Sequence, residues 1–85
     1  MTLILREFNI ILMRAMIVFT RHAVQRMRER NIARSQIVNA LAKPDSATLE
    51  EGDVTLFRKR YGKKILGVVT EVFKQKFIVI TAYWV

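Results

Sequence analysis

Residues 54–84 read VTLFRKRYGKKILGVVTEVFKQKFIVITAYW, and this stretch decides the fold. It divides into three segments rich in β-branched and aromatic residues, which are separated by Gly62-Lys63 and Lys74-Gln75. Short breaks of this kind between such segments are typical of tight turns that join antiparallel strands. The pattern therefore predicts a β-meander with strands at residues 54–61, 64–73 and 76–84.

The last two of these predicted strands are apolar on both faces. Leu66, Val68 and Val72 alternate with Ile65 and Val69. Strands with this pattern usually lie in the centre of a sheet and are covered on both sides. Two short helices can cover one side only. The other side is then left for the N-terminal segment, a second copy of the chain or a partner protein.

The segment before the meander predicts a strand followed by a helix. Residues 17–19 form a β-branched and aromatic run, and Thr20 is a good N-cap for a helix over residues 21–30. Asn31 readily takes the left-handed conformation that ends a helix, so Ile32 is expected to return to the core.

A second helix and a short strand are predicted next. Ser35 is expected to cap a helix over residues 36–42, which ends before Pro44. Residues 47–50 form a weak strand, and Gly52 lies in the turn that follows it.

Together these elements predict an α+β fold, in which two short helices pack on one antiparallel β-sheet in the order β-α-α-β-β-β-β. The 85 residues are enough for one domain. We assign residues 17–85 to this single domain and residues 1–16 to an N-terminal extension.

The composition favours a polyanionic partner. The 15 Lys and Arg against 7 Asp and Glu give a net charge of +8, which attracts phosphates.

The 52% hydrophobic content excludes disorder, and the absence of cysteine excludes disulfides and thiolate metal sites. One histidine without cysteine cannot build the usual zinc site, so neither a metal nor another cofactor is expected. No apolar run is long enough to span a bilayer, and we expect a cytoplasmic protein that does not bind membranes.

The first helix carries a stripe of titratable side chains. His22, Arg26 and Arg30 are spaced i, i+4 and i+8, which places them along one side of the helix. Like charges on one stripe repel each other unless an anion lies opposite, so the stripe is interpreted as facing phosphate. The alternative is a solvated helix face, with Arg26 paired to Glu29 or Glu71.

A second basic cluster lies on the predicted hairpin. Strand alternation puts Arg58 and Arg60 on one face, and Lys59 and Tyr61 on the other. Two guanidiniums on one face match phosphate oxygens in a bidentate manner. Together with Lys64, these residues are candidates for RNA binding; the alternative is a hairpin whose charges only keep the protein soluble.

The last strand supplies a third candidate. Thr81 and Tyr83 share a face, whereas Trp84 points the other way. A tyrosine on a sheet can stack a base or protonate a leaving oxygen. The alternative is an aromatic side chain that only caps the core.

The first helix also carries a resemblance to a known family. Its sequence resembles the signature F-[ST]-x-H-A-x-x-R-M-x-x-R-x-I of a small family of uncharacterised bacterial and archaeal domains. The matching residues are Phe19, Thr20, His22, Ala23, Arg26, Met27, Arg30 and Ile32. That family is grouped with the RelE-like toxins, within the barnase–EndoU–colicin–RelE group of metal-independent ribonucleases. The resemblance implies a RelE-like fold and a toxin role alongside an acidic antitoxin protein.

These observations lead to one main hypothesis, a metal-independent endoribonuclease that directs a 2′-hydroxyl at the adjacent phosphate. The expected catalytic residues are His22, Arg26, Arg58 and Tyr83, with Lys59 as an alternative to Tyr83; the expected RNA-binding residues are Arg30, Lys59, Arg60, Lys64 and Thr81. The substrate would be RNA, including mRNA on the ribosome. This hypothesis requires the helix stripe and the hairpin to converge on one pocket. A non-catalytic RNA- or DNA-binding module and a protein-interaction subunit are the alternatives.

Overall fold

A computed structural model describes residues 16–85 of the chain. Seven elements follow one another along it: β1 (Met16–Phe19), α1 (Arg21–Glu29), α2 (Arg34–Ala42), β2 (Ser46–Leu49), β3 (Val54–Tyr61), β4 (Lys64–Phe73) and β5 (Lys76–Trp84). The strands form one sheet in the order β1-β5-β4-β3-β2. The α+β fold and its order of elements are confirmed. The predicted extension, apart from Met16, lies outside the described residues.

The sheet is mixed rather than wholly antiparallel. Strands β2 to β5 form the predicted antiparallel meander, but β1 pairs parallel with β5, and Phe19 lies opposite Val79. A parallel pair needs a long crossover, and here both helices and three strands lie between its two members. Strand β1 forms one edge of the sheet, next to β5.

Both helices pack on one face of this sheet, α1 on β5 and α2 on β3 and β4. Each fully buried valine, leucine, isoleucine or phenylalanine side chain in such a core stabilises the fold by about 1.5–3 kcal/mol. The fully buried side chains there include Ala23, Ile37 and Leu41 from the helices and Phe57, Leu66, Val68, Phe77 and Val79 from the strands. These residues fix which face of β3, β4 and β5 points inward.

One hydroxyl group fixes the start of α1 to the sheet. Thr20 Oγ1 accepts a hydrogen bond from the backbone N–H of Ala23 at 3.0 Å and donates one to the carbonyl oxygen of Ile80 at 3.1 Å. Thr20 is thus the N-cap that the sequence predicted, and it also ties the helix to β5.

The end of α1 agrees with the sequence prediction, whereas the start of α2 does not. Asn31 has φ 54°, in the left-handed region, and Ile32 is buried as expected. Helix α2 begins at Arg34 with Ala33 as its N-cap, so the prediction that Ser35 caps it is wrong. The Gln36 side chain accepts a hydrogen bond from the Ala33 backbone N–H at 2.8 Å, and it thereby satisfies the amide of the N-cap residue itself.

No helix of residues 16–85 covers the opposite face of the sheet, and none is long and apolar enough to cross a membrane. Val69 and Ile78 lie on this helix-free face and are half-buried. Arg58, Thr81 and Tyr83 share it, so the face is a mixture of apolar, hydroxyl and cationic groups.

We predict that Thr70→Val raises the free energy of unfolding. Thr70 is fully buried on the helix-covered face of β4, and its hydroxyl has no hydrogen-bond partner among residues 16–85. An unsatisfied buried hydroxyl costs about 1–3 kcal/mol, and valine has nearly the same shape. Urea unfolding should show a gain of about 1 kcal/mol. Val68→Thr, a matched control on the same face, should lower stability; equal effects of both substitutions would contradict the argument.

Candidate nucleic-acid interface

One row of residues crosses four strands on the helix-free face. Ser46, Arg58, Gly67 and Tyr83 are successive cross-strand partners on β2, β3, β4 and β5. Phe57 in β3, next to Arg58, is buried under the helices, so alternation turns Arg58 to the opposite side. The register therefore brings Arg58 and Tyr83, two predicted catalytic residues, to the same face with only Gly67 between them.

Gly67 makes room for the Tyr83 ring. A Cβ atom at Gly67 would lie 2.7 Å from Cε1 and Cζ of Tyr83 and 3.1 Å from its hydroxyl oxygen. The outer end of the ring therefore lies over β4, and the ring extends from β5 toward β3. Neighbouring strands are about 4.8 Å apart, so the phenol stands roughly one strand spacing from the backbone that carries Arg58.

Two further predicted RNA-binding residues share this face. Arg60 is the partner of Ile65, and Thr81 is the partner of Val69. We call the surface formed by Arg58, Arg60, Gly67, Thr81 and Tyr83 the arginine–tyrosine face. It offers two guanidiniums and two hydroxyl groups, a combination suited to phosphate oxygens.

The two guanidiniums of this face are not neutralised within the described part of the chain. Arg58 and Arg60 are exposed, and the guanidinium of neither makes a hydrogen bond or ion pair with residues 16–85. Asp45 directly precedes Ser46, the cross-strand partner of Arg58. Its carboxylate accepts a hydrogen bond from the backbone N–H of Arg60 at 2.6 Å, and so fixes the entry to β2.

The two lysines predicted to bind RNA lie on the opposite side of the sheet. Lys59 points to the helix side, where its ammonium donates a hydrogen bond to the carbonyl oxygen of Lys43 at 3.0 Å and so caps the end of α2. Lys64 is 5.7 Å from the centroid of the Trp84 ring. Alternation places both lysines on the face opposite Arg58, so they are not part of the arginine–tyrosine face.

The helix stripe does not converge with the hairpin, and that expectation is wrong. Helix α1 packs on the face of β5 opposite Tyr83, so the sheet separates His22, Arg26 and Arg30 from Arg58. The cause is the register: the odd-numbered residues of β3 meet the helices, which leaves Arg58 on the far side.

The partners of the stripe residues are within the protein itself. Arg26 donates to Glu29 at 2.6 Å, as in the alternative interpretation, and this hydrogen bond, followed by one from Gln25, lowers the pKa of Glu29. Arg30 donates to the carbonyl oxygen of Ala82 at 2.7 Å. His22 is exposed and makes no hydrogen bond with residues 16–85. The stripe therefore contains two cations with structural partners and one free imidazole.

Two aromatic residues of the predicted strands have structural contacts on the helix side. The Trp84 indole N–H donates to the carbonyl oxygen of Arg30 at 2.8 Å, and its ring meets Tyr61 edge to face with centroids 6.2 Å apart. The Tyr61 hydroxyl donates to the carbonyl oxygen of Gln36 at 2.8 Å, and burial raises the pKa of Tyr61. These contacts hold the ends of α1 and α2 against β3 and β5.

Sequence reasoning missed the role of Gly67, although the sequence contains a signal for it. A glycine inside an apolar strand often marks a place where another group comes close to the backbone. Predicting that the group is Tyr83 requires the register of β4 with β5, which shifts between Val69 and Thr70.

Within residues 16–85 no group of three or more histidine, aspartate or glutamate side chains could hold a metal ion.

We predict that Gly67 and Tyr83 are energetically coupled. Gly67→Ala should lower the free energy of unfolding by about 1 kcal/mol in the wild type, because the new methyl group displaces the ring. In a Tyr83→Ala background the same change should be neutral or stabilising by about 0.5–1 kcal/mol, because alanine is less costly than glycine in a strand. A double-mutant cycle by urea unfolding measures this coupling. Identical effects in both backgrounds would contradict it.

Comparison with known proteins identifies the family without assigning an activity. Neither the curated proteins nor the solved structures gave a match to the chain. Residues 19–84 match the model of a family described as a domain of unknown function, DUF4258. The match runs from the last residue of β1 to the last residue of β5 and includes every residue of the arginine–tyrosine face. The chain therefore belongs to the DUF4258 family.

Proposed function

We propose that the protein binds RNA through the arginine–tyrosine face. The observation that carries this proposal is the cross-strand row in which Arg58 and Tyr83 flank Gly67 and the Tyr83 ring lies over it. The Arg58 guanidinium has no partner within residues 16–85. A guanidinium binds phosphate in a bidentate manner, and an aromatic ring next to it can contact a base or a sugar. Arg60 lies two residues beyond Arg58 on β3, and Thr81 lies two residues before Tyr83 on β5. They extend the same surface on the two sides of this row.

The chemistry of this face favours single-stranded RNA over other anions. Single strands are bound by positive surfaces that follow the backbone and by aromatic side chains that contact bases. The arginine–tyrosine face has both components, and the net charge of +8 increases the rate and strength of association with any polyanion. RNA fits better than a small anion because Arg58 and Arg60, two residues apart on β3, can contact successive phosphates.

Binding should depend on the two guanidiniums and on salt. We predict that Arg58→Gln with Arg60→Gln weakens binding of a single-stranded RNA by about 100-fold, because two charge-assisted hydrogen bonds of about 1.5 kcal/mol each are lost. The slope of log K against log salt should fall by about 1.4, since single strands give roughly 0.7 for each phosphate contacted. Fluorescence anisotropy at several salt concentrations measures both quantities.

A matched control removes the same charge elsewhere. Arg21→Gln with Arg28→Gln also lowers the net charge by two, but both residues lie on α1, away from the arginine–tyrosine face. This variant should lose little RNA affinity. Equal losses in the two double variants would show that only the overall charge matters, and the proposed interface would be wrong.

A second candidate function, a metal-independent endoribonuclease, is favoured by the Tyr83 phenol, which lies over Gly67, the cross-strand partner of Arg58. In such a reaction the 2′-oxygen bonds to phosphorus and the bond from phosphorus to the 5′-oxygen breaks. Water would accept the 2′-hydroxyl proton, the Tyr83 phenol would protonate the 5′-oxygen, and Arg58 would stabilise the charge on the phosphate. Residues 19–32 resemble an uncharacterised family that is grouped with the RelE-like toxins, and this resemblance supports the candidate and, with it, a toxin role beside an acidic antitoxin.

Cleavage assays on variants of Tyr83 and His22 should show which side of the sheet carries the catalytic residues. In the presence of EDTA, we predict that Tyr83→Phe lowers the cleavage rate by about 100-fold or more while RNA affinity is kept, because the general acid is lost and the ring remains. His22→Ala should cleave at the wild-type rate, because His22 lies on the helix side. The measurement is the release of 2′,3′-cyclic phosphate from a labelled RNA.

Two outcomes would contradict a ribonuclease in which Tyr83 and Arg58 are the catalytic residues. If His22→Ala lost cleavage and Tyr83→Phe retained it, the catalytic site would lie on α1 and not on the arginine–tyrosine face. RNA binding without cleavage by the wild-type protein would remove the enzymatic candidate and leave a non-catalytic RNA-binding module.

A further inference from the structure

A groove with a volume of about 630 Å³ runs along the outer side of α1, next to β1. We call it the α1 groove; it is lined by Phe19, Arg21, Val24, Gln25, Arg28 and Glu29. It lies on the helix-covered side of the sheet, opposite the arginine–tyrosine face. The predicted stripe of His22, Arg26 and Arg30 uses a different side of the same helix.

The spacing of the α1 residues gives the groove a defined pattern. Arg21, Val24, Gln25 and Arg28 are at positions i, i+3, i+4 and i+7, which form one stripe on an α-helix. Two turns separate the arginines, a rise of about 10 Å along the axis. An apolar centre, made by Val24 and Phe19, thus lies between two cations.

The cations of the α1 groove lack acidic partners. Arg21 and Arg28 make no ion pair or side-chain hydrogen bond with residues 16–85. Glu29 is the one acidic residue of the lining, and its carboxylate accepts hydrogen bonds from Arg26 at 2.6 Å and Gln25 at 3.1 Å. Arg34 adds a third cation, with its guanidinium 4.6 Å from the centroid of the Phe19 ring.

We infer that the α1 groove binds an acidic amphipathic helix of a partner protein. Although four of the six lining residues are polar or charged, most of the surface that they and Val24 and Phe19 present to the groove is apolar. Such a surface suits an apolar side chain better than the sugars and phosphates of RNA. A helix with acidic residues at i and i+7 and apolar residues at i+3 and i+4 would place its carboxylates on Arg21 and Arg28 and its apolar groups on Val24 and Phe19. The inference does not depend on RNA binding by the opposite face.

The test uses an alanine-based helical peptide of this design, with leucine at the two central positions and glutamate at the two outer ones. The peptide is titrated into the full-length isotope-labelled protein, and backbone amide signals are followed by NMR. Saturable changes should map to Phe19, Val24 and Arg28, and not to the arginine–tyrosine face. A control peptide with lysine in place of glutamate should cause no saturable change.

Variants provide the matched controls. Arg21→Gln with Arg28→Gln should weaken peptide binding by roughly fivefold, because two exposed ion pairs are lost, while circular dichroism shows the same fold. Arg58→Gln with Arg60→Gln should bind the peptide as the wild type does. The inference fails if no saturable change occurs up to millimolar peptide, or if the lysine peptide binds equally. It also fails if the changes map to the arginine–tyrosine face, or if single-stranded RNA rather than the peptide occupies the groove.

Discussion

The register of β3, β4 and β5 is the constraint on which the rest of the structure depends. In one cross-strand row Phe57, Val68 and Ala82 are fully buried under the helices. Because side chains alternate with a period of two, the adjacent row, which contains Arg58 and Gly67, must face the other way. Burying the apolar row thus exposes the cationic row, and a shift of one residue would exchange them. The burial of the core therefore also determines where the guanidiniums lie.

The helices depend on this sheet for their placement. Helix α1 has nine residues, a length at which an isolated helix is marginal in water. Its start is bonded to β5 through the Thr20 hydroxyl, and its end through Arg30 and the Trp84 indole. Hydrogen bonds at both ends leave the helix little freedom to rotate about its axis. This fixed orientation determines which of its side chains face solvent.

The basic residues consequently form two separate surfaces of different character. The arginine–tyrosine face combines guanidiniums with hydroxyl groups on a sheet, whereas the α1 groove places guanidiniums around an apolar centre. Phosphate oxygens suit the first surface, and carboxylates next to apolar side chains suit the second. Because the sheet lies between the surfaces, one ligand bound to a single site would leave the other accessible. Under the two proposals, an RNA and an acidic helix would bind on opposite sides of the sheet and would not compete.

The sequence by itself determined the α+β class, the three meander strands, the N-cap at Thr20 and the left-handed Asn31, because each depends on local pattern or local backbone preference. It also predicted correctly that Arg58 and Arg60 share a face, since alternation within one strand needs no knowledge of other strands. Only the tertiary structure decided that β1 pairs parallel with β5, that Tyr83 extends over Gly67 toward Arg58, and that His22 lies across the sheet from them. These are relations between segments far apart in the chain. They follow from which strands become neighbours, in what register, and which face the helices cover.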